Sequence, residues 1–264
     1  MPDLPLLGAA IGVDELEPHI DWLVQDQRDL ELQTFLRPEI IAGDWRTPAA
    51  RAKALLQNHR GRLGIHGPFQ GFSLASEDLD VRDVVKRRLM QGLDICEELG
   101  ATQMVLHSPY RGWDLENLDN QDDGQARLVG RVRATMADAV ARAEGLGVEL
   151  VLENTEDRDP AARVRLARAL ESPAVRVSID TGHAYYAHRM GQAPAIDRFI
   201  RGAGKLLAHL HLQDADGFAD RHWPIGDGTT PWRAVFAELA KLDAMPRLII
   251  EIRDKSQLAR SAAH

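Results

Sequence analysis

Eight short aliphatic runs, each separated from the next by a longer segment of helical spacing, limit what this chain can fold into more than any other feature. The runs cover residues 6–11, 30–36, 63–69, 102–107, 148–153, 175–180, 206–213 and 247–252. The segment 81–99 typifies what lies between them: Val81, Val85, Leu89, Leu93 and Cys96 recur on one helical face. Gly100 and Gly147 stop the predicted helices 81–99 and 132–146, while Thr47-Pro48 and Thr230-Pro231 read as N-cap and first-turn pairs. The tail after Ile252 is expected to supply an eighth helix. No Asn-Gly hairpin joins neighbouring runs, and no linker or low-complexity tract divides the chain. Eight βα units predict an α/β protein in which residues 1–264 form one (β/α)8 TIM-barrel domain. A doubly wound open sheet is the competing architecture.

The balance of 32 Lys+Arg against 40 Asp+Glu gives a formal net charge of −8, which argues against broad nucleic-acid binding. Bound cations would weaken that argument locally. The single cysteine, Cys96, excludes an intramolecular disulfide, fits a reducing compartment and belongs to an apolar stripe, so it reads as packing. No run approaches the roughly 18 apolar residues of a membrane span, and the acidic start lacks the basic region of a secretory signal. A cytoplasmic protein with no membrane partner is expected.

Polar residues separate barrel from open sheet. The last six runs end in His66, His107, Glu153, Asp180 with His183 just beyond, His211 and Glu251. An open sheet would gather only its switch-point strands, whereas a closed barrel brings all six ends to one mouth. Taken singly, such a histidine is a hydrogen-bonded structural residue and such a glutamate a salt-bridge partner. Six together in one mouth would be costly to bury without a cation, and imidazole nitrogen with carboxylate oxygen suits zinc or manganese. His209 shares a face with His211 but lies deeper, and reads as structural support; His19, His59, His188 and His264 read as surface residues.

HGPF at His66, VLHSPY at His107, VLENT at Glu153, SIDTGHA from Asp180 to His183, HLHLQD at His211, DRHWPIGDG from Asp220 and IIEI at Glu251 occur in order along most of the chain. Together they resemble the xylose-isomerase-like TIM-barrel superfamily, which includes sugar and sugar-phosphate isomerases and epimerases and endonuclease IV. In the isomerase and epimerase branch, the resemblance implies one divalent ion, Mn or Co by preference, held by Glu153, Asp180, His211 and Glu251. In the endonuclease IV branch it adds His66, His107, His183, Asp220 and His222 to hold three zinc ions. This chain has a residue at every one of those positions. Isomerase-like relatives use the additional histidines around the substrate.

The resemblance therefore implies a metal-dependent isomerase or epimerase of a small sugar, keto-sugar or sugar phosphate. The ion would stabilise an enediolate, and Glu153 and Glu251 would remove and return the proton. His183 would hydrogen-bond the developing oxyanion, and His66 and His107 would hold hydroxyls or orient ligands. The alternatives are a trinuclear zinc phosphodiesterase cutting DNA at abasic sites, a polyol or keto-acid dehydratase, and a non-catalytic sugar-binding protein with a structural metal. A nuclease needs a cationic grip, and the loop 118–123 is acidic while Lys86-Arg87-Arg88 and the arginines of 163–168 fall on predicted helices as a solvated outer face. The loop from Gly226 to Pro231 could receive a substrate phosphate on its amides, although a plain capped loop accounts for it too. Trp113, Trp223 and Trp232 are expected at the mouth or at an interface of a homo-oligomer. No nucleotide-binding motif follows any run.

Overall fold

A computed structural model describes residues 5–264; residues 1–4, where the segment examined for a secretory signal begins, lie outside the described residues. Eight parallel strands close in sequence order, β1 (Gly8–Ile11), β2 (Leu30–Leu32), β3 (Leu63–His66), β4 (Gln103–His107), β5 (Glu149–Glu153), β6 (Val175–Asp180), β7 (Leu207–Leu212) and β8 (Arg247–Ile250), with β8 paired to β1. The open-sheet alternative is thereby excluded. Most strands are shorter than their aliphatic runs, for identifiable reasons. β2 stops at Leu32 because its partner ends at Ile11, whose carbonyl accepts the last rung from the Gln33 amide, and the chain then turns through Thr34–Leu36. β3 stops at His66 because Pro68 has no N–H with which to continue the ladder toward β4.

Helices cover the barrel, and their ends refine the sequence reading. The helix Leu79–Leu99 starts two residues early because the Asp78 carboxylate accepts from the Asp80 and Val81 amides at 2.8 and 3.2 Å. Gly100 and Gly147 adopt left-handed φ values of 67° and 68° and close their helices as expected. Cys96 is buried, and its thiol is pushed up to about 12 by that burial, in keeping with packing. Two expected caps are corrected. Asp44, not Thr47, accepts from the Arg46 and Thr47 amides at 3.1 Å, so Thr47 lies within the helix Arg46–Leu55. Thr230 offers no side-chain cap to the helix Trp232–Leu239. The helix Leu258–Ala263 fills the eighth position, and no helix among the described residues is long and apolar enough to cross a membrane.

Two residues read as surface are buried. His59 is tucked beneath the Arg28 carbonyl, 2.6 Å from Nε2, while His188 and His264 are exposed and His19 is half-buried. Arg163, read as part of a solvated face, is 1% exposed and forms an ion pair of 2.9 Å with Asp157. Its guanidinium also donates to the Leu152 and Ser178 carbonyls, and Asp157 accepts from Ser108 at 2.8 Å. This strut ties the ends of β4, β5 and β6 together beneath the mouth. Burial pushes Asp157 up and Arg163 down, each toward its neutral form. Replacing Asp157 with Ala leaves a buried guanidinium uncompensated and should cost about 3–5 kcal/mol of stability in denaturant unfolding. A loss below about 1 kcal/mol would mean that the strut is not structural.

Candidate active site

Strand register brings the polar ends together: His107 lies opposite Glu153, and Asp180 opposite His211. Glu153, Asp180, His211 and Glu251 are all buried, with one ligand atom from each within 4.8 Å of the others. The same spacing groups His66 and His107 with Glu153, and His183 and His222 with Asp220. The nine residues singled out in the sequence thus meet at one mouth as three adjoining groups.

Hydrogen bonds fix which imidazole nitrogen faces each group. His66, His183 and His222 place Nδ1 at 2.9, 2.8 and 3.0 Å from the carbonyls of Gly67, Asn154 and Glu251. A carbonyl only accepts, so Nδ1 carries the proton in each, and Nε2 is left toward a carboxylate. Nε2 of His66 and of His107 lie 3.7 and 3.6 Å from Oε2 of Glu153, a buried oxygen with no hydrogen-bond partner. Burial pushes His107 down to about 3, which keeps its ring neutral with a lone pair to offer. Unpartnered carboxylate oxygen beside neutral imidazole is the donor chemistry of a divalent cation, so the residues present fit one.

The central group is similarly braced. Asp180 accepts from the His183 amide at 2.7 Å and from Gln213 Nε2 at 3.1 and 3.2 Å, while its own amide donates to Asn154. Gly182 makes this possible, since a Cβ there would collide with the Gln213 side chain. Burial, with Glu153 and Glu251 nearby, raises Asp180 to about 6 although His183 opposes the shift. Burial opposes protonation of His211, but Glu251, Glu31 and Glu153 hold it well above the ordinary imidazole value. His222 is raised to about 9 against the cost of burial, chiefly by Asp220, 3.0 Å from its Nε2. A cavity of about 150 Å³ opens beside His107, lined in part by Phe69, Phe72, Arg111, Thr155 and Glu156. Phe69 stacks on the His107 ring at 3.8 Å.

Sequence reasoning missed Glu31, Gln33 and Lys255, and assigned no role to Asn154 or Gln213. His209, read as structural support, places its Nε2 3.2 Å from Glu31, and its Nδ1 pairs with Ser178. The available signal was Leu30-Glu31-Leu32-Gln33, where charge and amide alternate with leucine inside a strand run.

A family model described as xylose isomerase-like TIM barrel matches residues 11–264. Among solved structures, a Thermus thermophilus protein described as soaked with ZnCl2 shares 28% identity and a TM-score of 0.74, covering 97% of this chain and 96% of that one. Fructoselysine 3-epimerase of Escherichia coli O157:H7 is 23% identical over 214 residues, 77% of this chain and 73% of that protein. An uncharacterized protein of Methanocaldococcus jannaschii is 23% identical over 199 residues; the match spans 71% of this chain but only 63% of that relative's length.

The loop that could have received a phosphate, with a plain capped loop as the other reading, is already filled from within. Asp214 accepts from the amides of Gly226 and Thr230 at 2.8 and 3.0 Å, and from the Trp232 indole at 3.1 Å. Gly228 leaves room for that carboxylate, which a Cβ would strike. Burial alone would raise Asp214, but the indole and the amides hold it below the usual carboxylate value. Trp223 bridges to Asp214 as well, so of the three tryptophans only Trp113, 78% exposed, stands free of the latch. Asp214→Ala should cost about 3 kcal/mol in denaturant unfolding by stranding these donors. Inorganic phosphate should leave the Gly226 and Thr230 amide resonances of the native chain unmoved; shifts that saturate would restore the loop as a phosphate receptor.

Proposed function

The chain belongs to the xylose isomerase-like TIM-barrel family, and from that premise we propose that it is a divalent-metal-dependent isomerase or epimerase of a small sugar. The observation that carries the reading is the buried set Glu153, Asp180, His211 and Glu251, in which three carboxylates and one imidazole converge. These four would hold the ion, with Mn or Co favoured. When bound, a divalent ion supplies electrophilic stabilisation to an oxygen beside the carbon that loses its proton.

Glu153 and Glu251 are the proposed acid/base pair. Glu251 is the more accessible of the two, with its side chain 11% exposed against 1% for Glu153. One of the two carboxylates would take the proton from carbon, and the other, in its protonated form, would deliver a proton to the opposite face of the same carbon, which is epimerisation. His183, partly open to the mouth, would orient a substrate hydroxyl, and His107 would do the same at the edge of the adjoining cavity. The occupied Gly226–Pro231 loop favours an unphosphorylated sugar over a sugar phosphate. The name of the fructoselysine 3-epimerase relative agrees with keto-sugar chemistry.

A second reading is favoured by one specific observation. The three adjoining groups, with Nδ1 of three histidines committed to carbonyls, would suit three zinc ions and therefore phosphodiester cleavage.

Metal analysis of the purified chain separates the two. About one Mn or Co per chain, with deuterium from heavy water entering a ketose next to its carbonyl, is the expected result. Glu251→Gln should slow that exchange roughly 100- to 10,000-fold while leaving the metal-free fold intact. Three tightly held zinc ions together with nicking of an abasic-site duplex would replace the isomerase reading with the second one.

A further inference from the structure

β2 supplies none of the nine candidate ligands, yet its central residue, Glu31, is a carboxylate and Gln33 follows directly after its end. Glu31 is buried, with its two carboxylate oxygens 3.0 and 3.1 Å from Nε2 of His211 and one of them 3.2 Å from Nε2 of His209. Nδ1 of His211 points the other way, 2.8 Å from Glu153 and 3.4 Å from Glu251. Gln33 donates through Nε2 to Glu251, and its Oε1 lies 3.4 Å from the Lys255 ammonium, which fixes the amide's orientation.

We infer that Glu31 is a positioning carboxylate for the metal centre: it holds the Nε2–H of His211, so that Nδ1 is the nitrogen presented to the ion. The separations are hydrogen-bond lengths, and one side of the ring already faces Glu153 and Glu251. If Glu31 instead held an additional ion together with His209 and His211, His211 would have to give up both ring protons and bind through both nitrogens. As an acceptor, Glu31 instead increases the electron-donating power of His211 and fixes its tautomer from the far side of the ring. Gln33, held in turn by Lys255, donates to Glu251, so β2 and the residue directly after it contact two candidate ligands while contributing none. The inference rests on the metal-dependent reading only in that an ion binds at the central group; it is independent of the sugar chemistry.

The test is a Co2+ titration of the metal-free chain followed by visible absorption, with Glu31→Gln as a near-isosteric variant. Glu31→Gln should bind the same number of ions as the native chain with affinity weaker by roughly 10- to 100-fold and a shifted absorption band. Native affinity and spectrum, with only a lowered thermal midpoint of the metal-free variant, would make Glu31 merely structural and overturn the inference. Loss of one ion from the stoichiometry would make it a ligand, which overturns it equally. Absence of any Co2+ binding by the native chain would sink the metal-dependent reading and this inference with it. Should Glu31→Gln fail to fold, long-range 1H–15N spectra of the zinc-loaded native chain decide: a proton on Nε2 of His211 is expected, and a proton on Nδ1 overturns the assignment.

Discussion

A carboxylate taken out of water is destabilising by several kcal/mol unless it finds a positive partner, and the mouth of this barrel is arranged around one that has found only half of its partners. Oε1 of Glu153 is met by His211, but Oε2 is buried without a donor and faces the Nε2 atoms of His66 and His107. An ordinary core would aim N–H groups at that oxygen. The proton on His66 is instead drawn away toward the Gly67 carbonyl, and His107 is held neutral by burial. Such an arrangement is stable only if a cation completes it, or if the rest of the fold offsets its cost.

Much of that offset comes from the surrounding scaffold. Barrel closure fixes the register that sets Asp180 beside His211, and the Asp157–Arg163 strut locks the ends of the strands that carry His107, Glu153 and Asp180. The backbone then orients the rings: three histidines commit Nδ1 to carbonyls belonging to the same strand ends that carry the candidate ligands. Orientation by carbonyls costs little, because those oxygens lie where the ladder stops and would otherwise lack a partner. Asp214 performs the corresponding service for the loop after β7, taking up amides that the sequence offered as a phosphate cradle.

The barrel and the candidate ligands were legible because both are written locally. An aliphatic run ending in His, Asp or Glu announces a strand whose last residue faces a mouth, and this held for β3 to β6, while His211 is the penultimate residue of β7 and Glu251 directly follows β8. Glu31 was hidden because its run reads on to Leu36, so the real strand end was passed over. Its partner His211 lies 180 residues away, a pairing that only barrel closure creates. Arg163 was misjudged, and Asp214 passed over, for a related reason. A charged residue on a helix or loop looks solvent-facing until a carboxylate or a cluster of amides from another strand end is known to lie beneath it.

The same charges that make the mouth costly to bury also bear on what it can hold. Glu31, Glu153, Asp180, Asp220 and Glu251 gather five carboxylates, while His183 and His222 favour their charged forms. One divalent ion with two imidazolium rings and the Lys255 ammonium balances the five carboxylates, which suits a neutral polyol and offers a phosphodiester no attraction. Three divalent ions with neutral rings would make the mouth positive and favour an anion. The rim then tips the balance: Asp119, Asp122 and Asp123 are exposed after β4, and Arg158 and Arg221 are each paired, with Glu116 and Asp216. A polyanion drawn by the metals would have to cross that rim without a free cationic grip from these arginines, whereas a small uncharged sugar would cross it at little electrostatic cost.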